Sequence, residues 1–360
     1  MNNNKVIQWI RSDIRDLAAY HVPQAGDYIK LDAMENPFSW PDSLLDEWLS
    51  ALRTTPINRY PDPQAQQLTS IIRQDMGVAN NIDIVLGNGS DELIQLIITA
   101  VTQPGRVVLA PEPTFVMYKL ITKLMGMTFQ SVPLKDNYDL DEEAMLAAIE
   151  KYQPAVVFLA YPNNPTGNLF SDDAIHQILS RSPGLVVIDE AYHAFAKKSY
   201  LQQLENYDNL LILRTVSKMG LAGLRLGVLM GDPNWLKEIN KVRLPYNINS
   251  LTQITASIAL QHSDIFKSQT DEICVQRQVL FDALAKMNGI EAYSTQANFI
   301  LFRLIAGNAS GVFESLKSAG ILIKNLHGST PALQDCLRVT VGTASQNQAF
   351  LKAMTSIIHR

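Results

Sequence analysis

A lysine between a hydroxyl and an arginine carries the most chemistry in this sequence. Ser217-Lys218 stands in the small-residue stretch Arg214-Thr215-Val216-Ser217-Lys218-Met219-Gly220-Leu221-Ala222-Gly223-Leu224-Arg225, with Arg225 seven positions beyond the lysine. An amine that attacks an aldehyde must be neutral, and desolvation beside another cation favours that form. The Ser217 hydroxyl and the Arg225 guanidinium suit a phosphate. A nucleophilic lysine next to a phosphate cradle points to pyridoxal 5'-phosphate (PLP), whose aldehyde bonds to lysine. The same residues also read as a surface lysine in a Gly-rich loop.

Other segments add compatible chemistry, each with a plainer alternative. Tyr161-Pro162-Asn163-Asn164-Pro165-Thr166-Gly167 follows an apolar run, and prolines there would aim an asparagine amide at a ligand oxygen; it also reads as a proline-rich turn. Val187-Ile188-Asp189-Glu190-Ala191-Tyr192 ends an apolar strand on a carboxylate, which is costly to bury without a cation. A protonated pyridine nitrogen would supply that cation, and Tyr192 could donate to the ring oxygen; a helix N-cap at Asp189 is the other reading. Gly87-Asn88-Gly89-Ser90-Asp91 opens into a helical pattern, as anion-binding turns do. It lacks the third glycine of a dinucleotide fingerprint. Phe115 could lie against a planar cofactor or belong to the core. Arg338, inside the apolar run Cys336-Leu337-Arg338-Val339-Thr340-Val341, needs an anion. A substrate carboxylate or an internal acid would serve.

The elements that must position these residues alternate. Val107–Ala110, Ala155–Ala160, Leu185–Asp189, Leu210–Leu213 and Gly227–Met230 read as buried strands. Helical patterns over Ser90–Thr102, Leu140–Tyr152 and Ser171–Ser180 lie among them, which predicts an α/β domain with a mostly parallel sheet. After about residue 249 a helical stretch to about Lys286 precedes strands at Asn298–Arg303, Ile321–Ile323 and Leu337–Val341, a smaller α+β domain. The first residues, to about Pro41, read as an arm.

The 360 residues are 47% hydrophobic and 18% charged with a net charge of -5, which provides for a sizeable core and argues against a nucleic-acid surface. No apolar run is long enough to span a bilayer, so no membrane partner is expected. Cys274 and Cys336 are too few for a disulfide framework or a zinc cluster, and the six histidines lack metal-ligand spacing, so no metal is expected. A cytoplasmic location follows as the default.

The order of the motifs is more specific than any one of them. Gly89-Ser90-Asp91, Phe115, Asn163-Asn164-Pro165-Thr166-Gly167, Asp189-x-x-Tyr192, Ser217-Lys218 with Arg225, and the late Arg338 resemble the fold-type-I PLP-dependent aminotransferases. Within them, Leu31-Asp32-Ala33-Met34-Glu35-Asn36-Pro37, Asn58-Arg59-Tyr60-Pro61-Asp62 and Leu337-Arg338-Val339-Thr340-Val341-Gly342 are similar to the histidinol-phosphate aminotransferase family, over about residues 12 to 355. The resemblance implies a fold-type-I architecture: an N-terminal arm with part of the small domain over 1–41, a large PLP-binding α/β domain over 42–248, and a small C-terminal α+β domain over 249–360. It implies Lys218 as the Schiff-base lysine, Asp189 against the pyridine nitrogen, and Asn164 and Tyr192 at the ring oxygen. Ser90, Ser217 and Arg225 would hold the phosphate, with Gly89 and Asp91 beside it and Phe115 on the ring. Tyr60 would reach the PLP of a neighbouring subunit in a homodimer. Tyr20, Asn36, Lys324 and Arg338 would face substrate. Lys324 and Phe115 stand where the family often carries Arg and Tyr, and Met34 where a polar residue is frequent.

The expected reaction is transamination between histidinol phosphate and 2-oxoglutarate, giving imidazole acetol phosphate and glutamate, run in reverse in histidine biosynthesis. An aromatic amino-acid aminotransferase, a threonine-phosphate decarboxylase and a non-catalytic PLP-fold binding protein are the alternatives.

Overall fold

The computed structural model describes residues 3–19 and 26–358. Its centre is a seven-stranded sheet in the order Asp83–Asn88, Leu226–Gly231, Leu210–Thr215, Leu185–Asp189, Val156–Ala160, Val107–Glu112 and Thr128–Pro133. The last five strands of that order run parallel to one another. Leu226–Gly231 is antiparallel to both of its neighbours. The sheet is therefore mostly parallel, as its near-continuous apolar runs predict.

Both faces of the sheet are covered, and side chains alternate between two cores with the period of two that a strand imposes. Val156, Phe158 and Ala160 enter one core, with Leu93, Ile97 and Tyr118. Val157 and Leu159 enter the other, with Ile175, Ile178 and Ile212.

This topology places the chemistry-bearing loops. Strands Val107–Glu112, Val156–Ala160, Leu185–Asp189 and Leu210–Thr215 all end on one edge of the sheet. Asp83–Asn88, antiparallel to an antiparallel strand, ends there too. Leu226–Gly231 begins on that edge, so Arg225 lies beside the turn at Gly89 although far from it in sequence. Ligands bind outside the carboxyl ends of strands in such sheets.

The smaller unit has a four-stranded antiparallel sheet, Lys324–Asn325, Cys336–Thr340, Phe299–Leu304 and Ile290–Ala292. Ile29–Lys30 pairs in parallel with Ile321–Leu322, which ties the N-terminal segment to this unit. The long helical stretch after residue 249 is two helices, Ser250–Gln261 and Ser263–Ala285, meeting at His262. Ala256, Ile258, Leu260 and Phe266 belong to the large core, whereas Ile273, Leu280 and Leu284 belong to the small one. The division between cores thus falls within Ser263–Ala285, later than the expected start at residue 249, because apolar residues of the first helix pack on the large unit. Short helices Asn3–Trp9 and Ser12–Arg15 occupy the expected arm. Among the described residues, no helix is long and apolar enough to cross a membrane.

Gly227 sets how closely two strands approach at the edge. A Cβ there would lie 2.6 Å from the Gly89 carbonyl carbon and 2.8 Å from the Ser90 nitrogen, both backbone atoms that cannot step aside. Gly227→Ala is expected to lower unfolding stability by about 1–3 kcal/mol, the usual penalty for overpacking. Urea denaturation followed by circular dichroism measures it, and an unmoved midpoint would contradict this account.

Candidate active site

At the carboxyl edge of the sheet a cavity of about 110 Å³ gathers Ser90, Asp91, Phe115, Asn164, Asp189, Tyr192, Ser217, Lys218 and Arg225. A neighbouring cavity of about 450 Å³ shares Met34, Phe115 and Asn164 as walls and extends to Lys324 and Arg338 of the small unit. A third, of about 650 Å³, lies between Pro63, Arg73 and Arg243 and contains none of these residues.

Asp189 ends its strand 3% exposed. Its Oδ1 accepts the Ala191 N–H at 3.0 Å, and its Oδ2 accepts the Tyr118 hydroxyl at 2.7 Å. Burial pushes its pKa up to about 6, against the pull of the Tyr118 and Ala191 hydrogen bonds, while Asp91 and Glu190 push it further up. Asp189 is not the helix N-cap of the plainer reading, since the helix that follows, His193–Phe195, has Tyr192 at its N-cap; one oxygen closes a turn onto Ala191, and the carboxylate lines the cavity, where a cation would stabilise its charge.

Two prolines with cis bonds frame Asn163 and Asn164. The two asparagines divide the work. Asn163 donates to Pro113 O at 3.0 Å and accepts from Thr114 Oγ1 at 2.8 Å, so it ties the Phe115 loop down. Asn164 Nδ2 donates to the Tyr192 hydroxyl at 3.1 Å, while its Oδ1 accepts from Arg338 Nη1. Arg338 Nη2 also donates to Asp32 O at 3.1 Å, and its guanidinium lies 5.1 Å from the Phe299 ring centroid. Lys324 is directly opposite Arg338 in the antiparallel pair, so two cations from neighbouring strands flank the outer cavity.

Lys218 is the middle residue of the short turn Ser217–Met219 that follows Leu210–Thr215, and its Nζ donates to Ala33 O at 3.1 Å. Burial, then the cations Arg338 and Arg225, lower its pKa to about 8, against Glu35 and Asp91. The amine is thus substantially neutral near neutrality's alkaline side, as a nucleophile requires.

The end of the cavity at Gly89 and Arg225 is built from backbone as much as from side chains. Gly89 has φ 86° and precedes helix Ser90–Val101, so Ser90 is the first helical residue and the free N–H groups face the edge. A Cβ at Gly89 would lie 2.6 Å from Arg225 Nη2, in the space between turn and guanidinium. Arg225 itself has φ 49° and stands 3.5 Å from Asp91. The Ser217 N–H donates to Thr215 Oγ1 at 3.1 Å, and the Ser217 hydroxyl, which accepts from Thr215 Oγ1 at 2.9 Å, lines the cavity. A cradle of amides, hydroxyls and a guanidinium, a buried carboxylate and a lysine of lowered pKa fit a phosphorylated pyridine aldehyde.

The sequence matches the family described as aminotransferase class I and II over residues 26–354. The chain belongs to that family. It is 53% identical to histidinol-phosphate aminotransferase 2 of Nitrosococcus oceani over 98% of each chain. It is 48% identical to the histidinol-phosphate aminotransferase of Vesicomyosocius okutanii over 95% of this chain and 96% of that one. Its fold is similar to that of Sinorhizobium meliloti histidinol-phosphate aminotransferase in complex with pyridoxal-5'-phosphate, with a TM-score of 0.86 and 24% identity over 98% of each chain.

Not every expected residue faces the cavities. Asn36 Nδ2 donates to Met219 O at 3.1 Å and to Gln269 Oε1 at 2.9 Å, and its Oδ1 accepts the Phe38 N–H. Its amide is spent on the loop that carries Lys218, which places Asn36 behind the reacting groups. Tyr60 is 80% exposed and stacks on Tyr246 with centroids 4.5 Å apart, outside both cavities. Tyr20 lies outside the described residues.

The sequence reading missed a buried ion pair behind the floor. Arg214 Nε and Nη2 donate to Glu190 Oε2 at 2.9 and 2.8 Å, and Ser199 donates to the same oxygen at 2.9 Å. Both residues stood inside motifs already singled out, but only three-dimensional proximity pairs them. His193, beside them, is half-buried, and desolvation and then Arg214 push it down to about 3, so it is neutral. Tyr118 was also missed, because its helix reads as plain core.

The lowered Lys218 pKa has a direct consequence. In cofactor-free protein, labelling of Lys218 by an amine-directed reagent should rise through pH about 8, not through the ordinary 10.5. Arg338→Ala removes a nearby positive charge, so the midpoint should move upward. Mass spectrometry of the labelled peptide reads both, and a wild-type midpoint near 10.5 would refute the environment described.

Proposed function

We propose that this chain is a pyridoxal 5'-phosphate-dependent histidinol-phosphate transaminase. It exchanges the amino group of L-histidinol phosphate with 2-oxoglutarate, giving imidazole acetol phosphate and glutamate, and runs in the reverse direction in histidine biosynthesis. The observation that carries the reading is the convergence of Lys218, Asp189, Tyr192, Asn164 and Arg225 on one cavity that opens towards Lys324 and Arg338. The high identity to relatives with that name over nearly whole chains supports the substrate.

When bound, pyridoxal 5'-phosphate supplies an aldehyde that captures amines and a ring that draws electrons from the adjoining carbon. The protein does the rest. Asp189 would balance the charge of a ring nitrogen, and Asn164 and Tyr192 would hold the ring oxygen. Gly89, Ser90, Ser217 and Arg225 would hold the phosphate, with Asp91 beside them and Phe115 against the ring. Lys218, neutral once its proton is lost near pH 8, takes the proton from the amine-bearing carbon of the substrate and holds it on Nζ for return.

Histidinol phosphate carries a phosphate and no α-carboxylate, whereas glutamate carries two carboxylates. One site must therefore accept either kind of anion. Arg338 offers a planar fork for a carboxylate, and Lys324 on the facing strand offers a point charge that tolerates phosphate or carboxylate. The alternatives, an aromatic amino-acid aminotransferase or a threonine-phosphate decarboxylase, would use the same inner cavity.

The functional unit we propose is a cytoplasmic homodimer with shared sites. Exposed Ile57, Tyr60 and Leu244, at 79%, 80% and 72%, with the stacked Tyr246, form an apolar surface suited to a second copy. Tyr60 would reach the phosphate of that copy's cofactor.

Lys218→Ala is expected to retain the fold and lose at least about 100-fold in turnover. In a screen of amines that follows conversion of the bound aldehyde by absorbance, histidinol phosphate should outpace phenylalanine, tyrosine and threonine phosphate. Equal rates, or release of CO2 from threonine phosphate, would reject the substrate. For the shared site, Tyr60→Ala mixed and refolded with Lys218→Ala should yield more activity than the two parents together, since one site of each mixed dimer is intact. A simple sum would reject the sharing.

A further inference from the structure

Asp189 is held by a residue that nothing above assigns to the reaction. Tyr118, on helix Val116–Leu124, is fully buried. Its ring stacks on Phe158 with centroids 4.7 Å apart and planes 9° from parallel. Phe115, at the cavity wall, meets the same ring edge-on at 5.5 Å and 84°. Packed between these two, the ring has one orientation, and its hydroxyl points at Asp189 Oδ2, 2.7 Å away. A phenylalanine would fill the same apolar space, so packing alone does not call for a hydroxyl.

The direction of that hydrogen bond matters. Burial, then the charge of Asp189 and the hydrogen bond to it, hold the Tyr118 phenol well above its ordinary pKa, so it keeps its proton and donates. A carboxylate accepts such a bond, whereas a protonated acid would compete as a donor. The groups that act on Asp189 come from every side. Tyr118 and the Ala191 amide favour the ionised form. Asp91 at the start of helix Ser90–Val101, and Glu190 beside it in the chain, oppose it. Tyr192 also interacts with it from the loop beyond.

We propose that Tyr118 is a positioning residue of the cofactor site: its hydroxyl keeps Asp189 ionised and fixed in orientation, so that the carboxylate can pair with a protonated ring nitrogen. Tyr118 touches neither substrate nor cofactor and acts only through Asp189. The proposal rests on the reading that the cavity binds pyridoxal 5'-phosphate.

The test compares wild type and Tyr118→Phe for equilibrium binding of two probes, by dialysis and absorbance across pH. One probe is pyridoxal 5'-phosphate, and the other is its carbocyclic analogue with C–H in place of the ring nitrogen. Loss of one hydrogen bond to a charged group is worth about tenfold in affinity. Tyr118→Phe should therefore bind pyridoxal 5'-phosphate about tenfold more weakly and the analogue as well as wild type does. The pH below which pyridoxal 5'-phosphate is lost should rise, because Asp189 becomes easier to protonate. Equal loss for both probes would reduce Tyr118 to a packing residue and overturn the proposal, as would no loss for either. A wild type that fails to bind pyridoxal 5'-phosphate at all would overturn the cofactor reading itself, and the proposal with it. If Tyr118→Phe does not fold, 3,5-difluorotyrosine at position 118 keeps the shape and makes a stronger donor. The acid limit of binding should then fall, and an unmoved or raised limit overturns the proposal.

Discussion

The site depends on a carboxylate buried where an apolar sheet ends. Asp189 is almost fully enclosed, and burial alone drives it towards the neutral acid. Two hydrogen bonds, from Tyr118 and from the Ala191 amide, hold it part-way back. That balance is unfavourable for an isolated protein and favourable for one that binds a cationic ring. The surrounding structure over-determines the position: strand Leu185–Asp189 lies between two parallel neighbours, and the Glu190–Arg214 ion pair locks its next residue to the adjoining strand. Removing either ion would leave the other buried and unpaired, so this pair holds position more than it adds stability.

Lysine and carboxylate are tuned in opposite senses by the same burial. Lys218 is pushed down to about 8 and Asp189 up to about 6. For Lys218 the shift makes the neutral amine accessible near neutral pH, whereas for Asp189 it is a cost that hydrogen bonds and a neighbouring cation must offset. Cations complete the tuning. Arg225, at the start of an antiparallel strand, lines the inner cavity with Lys218, and Arg338, from the small unit, lines the outer one; both lower the lysine's pKa. The small unit thus helps set the charge state of Lys218. The pairing of Ile29–Lys30 with Ile321–Leu322 fastens to it the segment whose Ala33 carbonyl accepts from Lys218 and whose Asp32 carbonyl accepts from Arg338.

The inner half of the site was legible as residues in a row, because each stands at the end of an apolar run or next to a glycine that only a tight turn requires. Strand Leu185–Asp189 falls where its apolar run does, and helix Ser90–Val101 starts at the expected serine. Less was legible wherever the pattern has no local period. Strands Asp83–Asn88 and Thr128–Pro133 are half-exposed or contain turn-like residues, and neither read as a strand. The break at His262 was hidden by helical composition on both sides. Tyr118 looked like core since its ring is core; only its hydroxyl is not. Asn36 shows the opposite case: a motif residue expected at the substrate bonds to the Met219 carbonyl, one residue past the lysine, a partner that spacing along the chain does not reveal.

By itself, the sequence determined the chemical inventory and its order: an amine, a carboxylate, an amide, a glycine turn and a late arginine, with hydrophobic periods that dictate a covered parallel sheet. Residue type and local period are properties of the chain, and no folding is needed to read them. Tertiary structure alone decided which of those groups meet. Six strand ends and one strand start share an edge only because of the order and direction in which the strands pair. That arrangement joins Arg225 to Gly89, Tyr118 to Asp189, Glu190 to Arg214 and Asn164 to Arg338. Such pairings, and the pKa shifts they cause, arise from burial and through-space charge, which depend on distance in the folded chain and leave no trace in spacing along it.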